Sequence, residues 1–553
     1  MYKTNLLPIL FFSMLFNLNS SAQQTVGLFK DTTGNLDGYV LFTPYSYDST
    51  YLIDKCGKLV HTWGSAYNPG LAVYLLPDGT LLRTGCIPNS YFNIGGKGGI
   101  IERFDWNSNL LWSYVISDSI KCMHHDICQL PNGNILAIVW EIHLYAESIN
   151  NGKNPLFTPD TLWSDRIIEL KPIGTDSANI VWQWRDWDHL IQDYDSTKLN
   201  YGVVSDHPEL INLNYYSSTN DPDWIHTNTV YYNEAKDQII MCAHNFSEVW
   251  IIDHSTTTAQ ASSDTGGISG KGGDLLYRWG NPQAYNRGTS ADEKFFTLHN
   301  AYWIPNGFKD SGKIMLFNNG LLRPAGAYSS IEIFDPPIDS LGNYPITTNQ
   351  PYQPDSDYWI YTKPIPTDFY SENMGGAQRL SNGNTLICNA DIGEFFEIDS
   401  ALNIVWDYVC PVNPAGRMTQ GLNTAYQDEV FRCTLYEPNY PGFIGHDLTP
   451  GNPIEINPLN YSCDMLTNAP SIKENNSEFS IYPNPASTMI TIKNLLFTDY
   501  DLVFTDVLGR GIFHKGIKNS TQSSIDILSW SNGVYFYSIK TINGIIRGKF
   551  VKE

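Results

Sequence analysis

One short β-hairpin recurs along this chain and restricts its fold more than any other feature. Each copy is an apolar strand, a tight turn resembling Leu-Pro-Asn-Gly, and a second apolar strand. Four copies occupy residues 72–79, 126–133, 300–307 and 376–383, and a variant occupies 227–237. Pro sets φ at the first turn position, and Asn/Asp-Gly supplies the positive φ that a hairpin turn needs. The recurrence predicts an all-β repeat architecture.

A second hairpin alternates with the first. It consists of an apolar strand ending in Asp, a short turn and a strand carrying Trp, as in Asp54 before Trp63 and Asp399 before Trp406. Two hairpins per repeat give four-stranded units, and such units around an axis form a propeller. We predict six blades, the last closed by strands at 39–42 and 430–435. A sandwich or a β-solenoid is the alternative all-β arrangement.

The two ends of the chain differ from the repeat region. Lys3, the apolar segment 6–16 and the small residues 20–22 predict a signal peptide over residues 1–22. The propeller is then expected over 23–465, a polar linker over 466–478, and a small antiparallel β-sandwich over 479–553. No later segment has the length of apolar sequence that a transmembrane span requires.

Charge and cysteine content narrow the function classes. The net charge is −23, from 34 basic and 57 acidic residues. A field of this sign repels phosphate backbones, so nucleic acid is not an expected partner. The nine cysteines include no Cys-x-x-Cys pair, which argues against a zinc or thioredoxin-like site. Their pairing is not determined by the sequence. We expect no cofactor and assign no metal ligands.

Aligning the hairpins on the turn glycine identifies a candidate site. Eight residues before that glycine lie Leu71, His125, His299 and Gly375, and the variant hairpin follows His226. Equivalent positions in a propeller face one another across the central channel, so three imidazoles should converge there. For each histidine taken singly, a packing or capping role is the alternative.

Seven residues after the same glycine lie the ends of the returning strands. The residues there are Cys86, Trp140 and Ala390. The matching strand ends in the other two hairpins are His244, seven residues after Asp237, and Asn319, which follows the longer turn after Gly307. Of these, Trp140, His244 and Asn319 are expected to line the channel beside the histidines. His124 should face away from His125, because side chains alternate along a strand. The glycine-rich segment 94–99 is expected to be a flexible loop rather than a phosphate-binding P-loop, since no helix pattern follows it.

Converging histidines that have no evident carboxylate partners suit two kinds of chemistry. Neutral imidazole is a common metal ligand. Alternatively, one imidazole nitrogen attacks an electrophile while a second histidine moves the proton.

Several motifs around these histidines resemble the arylsulfotransferase family. They are Asp-Trp-Ile-His-Thr-Asn-Thr at 223–229, Leu-His-Asn-Ala at 298–301, His-His-Asp at 124–126, and the stretches 430–436, 440–442 and 447–451. The resemblance implies a six-bladed propeller that moves a sulfuryl group from a phenolic sulfate ester to a phenolic acceptor. It also implies a sulfohistidine intermediate in a ping-pong cycle, with no nucleotide donor.

The same resemblance suggests residue roles. His299 matches the histidine that becomes sulfated, His226 matches one that binds the sulfuryl oxygens or assists proton transfer, and His125 matches a further active-site histidine. His244 stands where the family carries an arginine, and it is a poorer clamp for sulfate than a guanidinium. We therefore assign His244, Asn319 and Arg323 to substrate binding, with Arg323 as a substitute charge. A solvated loop arginine is the alternative for Arg323.

The C-terminal module has its own resemblance. Tyr-Pro-Asn-Pro at 482–485, Gly-Val-Tyr at 533–535 and Gly-Lys-Phe-Val at 548–551 together resemble the sorting domain of the type IX secretion system. This implies export through the periplasm and outer membrane, a secreted or cell-surface location, and the type IX machinery as a partner. A carbohydrate-binding or spacer domain is the alternative.

Two other functions remain open from the sequence. One is a non-catalytic secreted propeller that binds glycans or partner proteins through its many aromatic residues. The other is a metal-dependent propeller enzyme that uses the histidines as ligands.

Overall fold

The computed structural model describes residues 24–216, 221–422, 429–459, 463, 479–494, 499–505, 511–541 and 544–553. The predicted signal peptide (1–22) and linker (466–478) lie outside these residues. The chain divides into two compact units, Met1–Tyr461 and Ser462–Glu553. The predicted domain boundaries stay predictions.

Six antiparallel sheets of four or five strands dominate the first unit. We number them in chain order of their inner strands, naming the inner strand first. Sheet 1 consists of Pro69–Leu75, Leu81–Cys86, Gly99–Phe104 and Leu110–Val115. Sheet 2 consists of Lys121–Gln129, Ile135–Leu144, Thr161–Ile173 and Ser177–Arg185. Sheet 3 consists of Thr227–Asn233, Gln238–Ala243, Glu248–Asp253 and Tyr277–Trp279. Sheet 4 consists of Leu298–Trp303, Ile314–Asn318, Ser330–Phe334 and Trp359–Tyr361. Sheet 5 consists of Gly376–Arg379, Thr385–Asn389, Glu394–Ile398, Ile404–Val409 and Gly27–Asp31. Sheet 6 consists of Val430–Tyr436, Tyr39–Pro44, Ser49–Asp54 and Leu59–Gly64.

Short elements join these sheets. Two small pairs are Leu190–Ile191 with Ile211–Asn212, and Val412–Asn413 with Gly416–Arg417. The α-helices are Tyr145–Asn150 and Thr258–Ala261. The 3₁₀ turns are Pro155–Phe157, Asp186–Asp188, Val204–Asp206, His244–Phe246, Pro282–Tyr285, Pro366–Asp368, Ala390–Ile392 and Pro441–Phe443.

The inner strands follow one another around a closed ring. Each contacts the inner strand of the next sheet, and that of sheet 6 contacts that of sheet 1. Sheet 6 pairs Val430–Tyr436 with Tyr39–Pro44, so the closing strands expected from the sequence lie side by side. The predicted all-β fold class is confirmed. The count of six propeller blades stays a prediction that this cyclic order supports.

The turn chemistry of the repeated hairpin explains its geometry. The Gly79 N–H donates to the Leu76 carbonyl at 2.9 Å, and the Gly133 N–H donates to the Leu130 carbonyl at the same distance. Both glycines have positive φ, +82° and +86°. The turn glycine therefore sets the register of each hairpin, which fixes the residue at the opposite end of the inner strand.

That opposite end carries a β-bulge in sheets 1 to 4, where the inner strand shifts register against its neighbour. Residues there with positive φ that are not glycine include Leu71 at 94°, His125 at 49°, His226 at 57° and Asn300 at 57°. A bulge redirects side chains relative to strict alternation, and such backbone strain is concentrated at functional sites. The bulges therefore decide which side chains meet in the channel.

A buried ion pair links sheets 5 and 6, where the two ends of the first unit meet. Lys55 Nζ lies 2.7 Å from Glu397 Oε2, and both side chains are almost fully buried. The ammonium also lies 3.8 Å from the ring centre of Trp406, whose indole N–H donates to the Lys55 carbonyl. The pair therefore stabilises the contact between sheets 5 and 6, where the ring of inner strands closes.

The second unit contains two antiparallel sheets that share one apolar core. The first is Phe479–Tyr482, Met489–Asn494 and Gln522–Asp526, and the second is Gly511–Ile517, Tyr500–Thr505, Gly533–Thr541 and Gly544–Lys552. Ile492 and Ile525 from the first sheet and Leu502 and Ile539 from the second are buried in that core. The predicted β-sandwich stays a prediction consistent with this arrangement.

Cys56 and Cys463 are each disulfide-bonded. Among the residues that the structure describes, no helix has both the length and the apolar character needed to cross a membrane.

Candidate active site

Four imidazoles form a continuous row at the bulged ends of sheets 2 to 4. The ring centres of His125 and His226 are 4.5 Å apart, those of His226 and His244 are 4.9 Å apart, and those of His244 and His299 are 5.4 Å apart. These are the three histidines selected by the hairpin alignment, together with His244. Residues up to 174 positions apart in the sequence therefore share one site.

His299 is held by Asn319 in a single tautomer. The Asn319 amide N–H groups donate to the carbonyls of Ser371 at 2.9 Å and Met374 at 2.7 Å. Its oxygen must then face His299, whose Nδ1 lies 2.7 Å away and donates to it. His299 Nε2 consequently carries a lone pair. Burial, then His244, keep the pKa of His299 well below its usual value, so this nitrogen is unprotonated.

Asn319 thus has its polar groups engaged with protein partners. The sequence assigned it to substrate binding, but these hydrogen bonds show that it lies behind His299 and orients that ring.

His226 has the opposite electrostatic setting. Its Nδ1 lies 2.5 Å from Asp223 Oδ2, and the other carboxylate oxygen accepts the Trp140 indole N–H at 3.0 Å. Burial by itself would lower the pKa of His226, but the Asp223 charge and hydrogen bond raise it above the usual imidazole value. His226 is also the accessible member of this pair, with 20% of its side chain exposed against 1% for Asp223.

His125 has a histidine and a carboxylate behind it. Its Nδ1 lies 2.9 Å from Nδ1 of His124, and His124 Nε2 lies 3.1 Å from Asp165 Oδ1. The second Asp165 oxygen accepts the Thr227 N–H at 2.6 Å. The expectation that His124 faces away from His125 is wrong, because the bulge and the positive φ at His125 bring both rings together.

The view of these histidines as lacking carboxylate partners is also wrong. Asp223 bonds His226, and Asp165 contacts His124 behind His125. Trp140 lies between these two histidine–carboxylate pairs. Its ring stacks on His124 with centres 3.9 Å apart, while its N–H bonds Asp223. Trp140 was expected to line the channel, but its side chain is fully buried. Asp223 was visible in the motif at 223–229, whereas nothing in the sequence pointed to Asp165.

His244 supplies no positive charge. Burial, then His226, lower its pKa to about 3. Its Nδ1 lies 3.0 Å from the Asn245 side-chain oxygen, which is fixed because the Asn245 amide N–H donates to the Asp223 carbonyl. His244 is therefore neutral.

Arg432 is a mostly buried cation that lies near the histidines, with 13% of its side chain exposed, and the sequence analysis did not select it. Its guanidinium donates to Asp126 Oδ2 at 2.7 Å and to Thr229 Oγ1 at 2.8 Å, and the Tyr74 hydroxyl donates to the other Asp126 oxygen. These residues come from sheets 6, 2, 3 and 1. A lone arginine on the apolar strand 430–436, and an Asp directly after His125, were the available signals.

Arg323, the suggested substitute charge, has other partners. Its Nη2 lies 2.9 Å from Ser330 Oγ and 3.7 Å from Glu332 Oε1. The guanidinium also lies 4.3 Å from the ring centre of Tyr328. Within the described part of the chain, no hydrogen bond or ring contact links Arg323 to the four histidines. These contacts do not support a role in substrate binding.

The glycine-rich segment 94–99 packs against His125. The His125 N–H donates to the Gly96 carbonyl at 2.8 Å. Gly96 has φ of +87°, and a Cβ there would lie 1.9 Å from His125 Cε1. The segment was expected to be a flexible loop, but its position requires glycine because the imidazole occupies the space of a side chain.

The spacing of the histidines does not favour a preformed metal site. Within the described residues, no three of them bring one ring nitrogen each to within 4.8 Å of the others. A three-histidine zinc site needs all three nitrogens within about 2.0–2.1 Å of one ion.

Comparison with known proteins agrees with the motifs around these histidines. The model of the arylsulfotransferase (ASST) family matches residues 10–407, which is most of the chain. The chain belongs to the arylsulfotransferase family. The matched range contains the four histidines and both backing carboxylates of this arylsulfotransferase-family protein, whereas Arg432 lies beyond it. A secretion system C-terminal sorting domain matches residues 480–553, which indicates export and a secreted or cell-surface location.

Solved structures show only distant similarity to this family member. A protein of unknown function from Bacteroides caccae has 11% identity and a TM-score of 0.39, covering 72% of this chain and 98% of its own. Virginiamycin B lyase from Staphylococcus aureus has 11% identity and a TM-score of 0.33, covering 70% and 86%. AztD from Citrobacter koseri has 8% identity and a TM-score of 0.32, covering 72% and 99%. Among curated protein sequences, no match is found.

Proposed function

We propose that this protein transfers a sulfuryl group from a phenolic sulfate ester to a phenolic acceptor through a sulfohistidine at His299. The observation that carries the proposal is the presence in one row of a neutral, unprotonated His299 Nε2 and of His226, on the far side of His244, whose charged form Asp223 favours. A nucleophile and a proton donor with opposite protonation preferences are what group transfer to nitrogen requires.

In the first half-reaction, His299 Nε2 attacks the sulfur of the donor ester. The N–S bond forms while the S–O bond to the phenol oxygen breaks, and the electron pair leaves with that oxygen. His226 gives its Nε2 proton to the departing oxygen, and the remaining Nδ1–H stays bonded to Asp223. The products are sulfohistidine 299, a neutral phenol and a neutral His226.

The second half-reaction reverses these steps with the acceptor phenol. Its O–H proton passes to His226 Nε2, its oxygen forms the new S–O bond, and the N–S electron pair returns to His299. Because the two halves are mirror images, one acid–base residue serves both. The protein then returns to its starting protonation state.

The electrostatics of the site support an anionic substrate. Asp223 favours the charged form of His226, whose side chain is 20% exposed, and Arg432 adds a mostly buried guanidinium near the histidine row. Electrostatic contact with Arg432 contributes to the low pKa of His299. The loss of a guanidinium at 244 predicts weaker ground-state binding of the ester.

The test is transfer from phenyl sulfate to a second phenol by the purified, exported chain. His299→Ala should abolish transfer. The matched control is His189→Ala, because His189 is also buried and bonded to an acidic side chain, Asp274, at 2.8 Å. Full activity in His299→Ala would overturn the proposal, and equal loss in both variants would point to a folding defect.

The second candidate is a non-catalytic exported module that binds anionic glycans or partner proteins. The observation that favours it is the neutral His244 in place of the family arginine. Wild-type protein that binds a phenyl sulfate yet never releases phenol would support this candidate against the first.

A further inference from the structure

Among the residues that the structure describes, no lysine or arginine pairs with the buried Asp165 carboxylate behind His125. Asp165 is 1% exposed, and its oxygens face the Thr227 N–H and His124 Nε2. The other carboxylates at the channel are paired: Asp223 with His226, and Asp126 with Arg432. A buried charge requires compensation. An anion that enters the channel beside Asp165 therefore adds to the uncompensated negative charge there.

The contacts of His124 determine where protons lie before a ligand binds. His124 Nε2 lies 3.1 Å from Asp165 Oδ1 without hydrogen-bond geometry, and the carboxylate charge favours a proton over a lone pair on that nitrogen. With His124 neutral and protonated there, its Nδ1 accepts the Nδ1–H of His125, 2.9 Å away. His125 Nε2 then carries a lone pair. A lone pair repels sulfuryl oxygens, so this state does not suit an occupied channel.

We propose that His124 and Asp165 take up one proton when an anionic sulfuryl group enters the channel, and thereby convert His125 into an N–H donor to that group. The proton from solvent binds His125 Nε2, and the Nδ1 proton of His125 moves to Nδ1 of His124. His124 becomes an imidazolium beside the Asp165 carboxylate, and His125 stays neutral with its N–H toward the sulfuryl oxygen. No covalent bond other than these N–H bonds changes.

The surroundings of His125 disfavour a charge on that ring. Burial, then His226, His124, His299 and His244, hold the pKa of His125 well below its usual value. His124 instead stacks on Trp140 and faces a carboxylate. Other titratable groups near the relay are Asp126 and Arg432 on one side and Asp186, whose pKa burial and Asp165 raise, on the other.

This inference rests on the proposed sulfuryl site but not on turnover. His124 and Asp165 are positioning residues, because they act through His125. Their role is measured by proton uptake on binding, which a purely structural contribution would not change.

The experiment is calorimetric titration of the full chain with benzylsulfonate, whose C–S bond prevents transfer, in buffers of different ionisation enthalpy near neutral pH. Wild type should take up close to one proton per ligand. Asp165→Asn should lose the uptake and bind at least about fivefold more weakly, because a neutral side chain no longer stabilises the His124 cation. The matched control is Asp274→Asn, which alters the His189–Asp274 pair and should leave the uptake unchanged.

Two outcomes would overturn the inference. One is wild-type binding without proton uptake. The other is uptake that persists in Asp165→Asn and disappears in Asp223→Asn, which would make His226 the acceptor. Failure of the proposed transferase function is separate, since it appears as an absence of sulfated His299 whatever the proton count.

Discussion

Asp223→Asn isolates the proton donor of the proposed reaction. The Asp223 oxygen that accepts the Trp140 indole N–H should remain an oxygen in the variant, so the new amide N–H group would face His226 Nδ1. That geometry forces the His226 proton onto Nε2 and removes the charge that favours the imidazolium. The same tautomer logic applies when the aspartate of a Ser-His-Asp triad becomes asparagine.

The expected magnitude follows from the contact. An opposite charge within about 4–6 Å shifts a pKa by roughly 1–3 units, and each unit corresponds to about 1.4 kcal/mol. The Asp223 oxygen is 2.5 Å from His226 Nδ1 and buried, so the variant should lie in the upper part of that range. At neutral pH, phenol release from phenyl sulfate should slow by about 10²–10³-fold.

The assay is release of phenol against pH for donors of different leaving-group acidity. The pKa of His226 is raised in wild type, so activity should be lost as pH rises through that pKa. In Asp223→Asn, the same loss should occur at lower pH, and acidic buffer should restore part of the rate. The defect should be large for phenyl sulfate and small for 4-nitrophenyl sulfate, whose phenolate needs no proton.

The matched control is Asp221→Asn, which removes a carboxylate charge that acts on His226 less strongly than Asp223 does, while the amide oxygen can still accept the Asp223 N–H. It should shift the pH profile little. An Asp223→Asn variant with an unchanged profile, or with equal defects for both donors, would refute the assignment of His226 as proton donor.

Three further changes test other parts of the account. His244→Arg should lower KM for phenyl sulfate by about tenfold, because a charge-assisted hydrogen bond contributes roughly 1.5–3 kcal/mol; an unchanged or higher KM in steady-state assays would contradict this. Lys55→Met leaves Glu397 buried without its cation and should lower the free energy of unfolding by about 3–5 kcal/mol, as measured by urea denaturation. A loss below about 1 kcal/mol would show that the pair does not stabilise the contact between sheets 5 and 6. Burial and Glu332 raise the pKa of Asp357 to about 8, so native stability should fall as pH rises from about 4 to 8, and Asp357→Asn should reduce that slope in thermal melts.

The hairpin pattern explains how much of the site was predictable. The turn glycine fixes strand register, so counting from it selected His125, His226 and His299 correctly as neighbours. Counting assumes regular strands, however. The bulge at His125 breaks the alternation, and for that reason the position of His124 was predicted wrongly.

The partners of the histidines depend on contacts that no local pattern encodes. Asp165 lies on the third strand of sheet 2, and Arg432 lies on a strand that closes the ring from the C-terminal side. Asn319 was selected for the channel, but only its bonds to the Ser371 and Met374 carbonyls reveal that it orients His299. The fold class followed from periodicity and turn residues, whereas proton positions required the hydrogen-bond network.

The central claim is that His299 Nε2 carries the sulfuryl group between donor and acceptor. The most direct measurement is mass spectrometry of the protein after incubation with phenyl sulfate alone, followed by addition of a phenol acceptor. The account predicts that the peptide containing His299 gains the mass of one sulfuryl group, and that the acceptor removes it. Transfer activity without any modification of His299, or stable modification that the acceptor does not discharge, would contradict it.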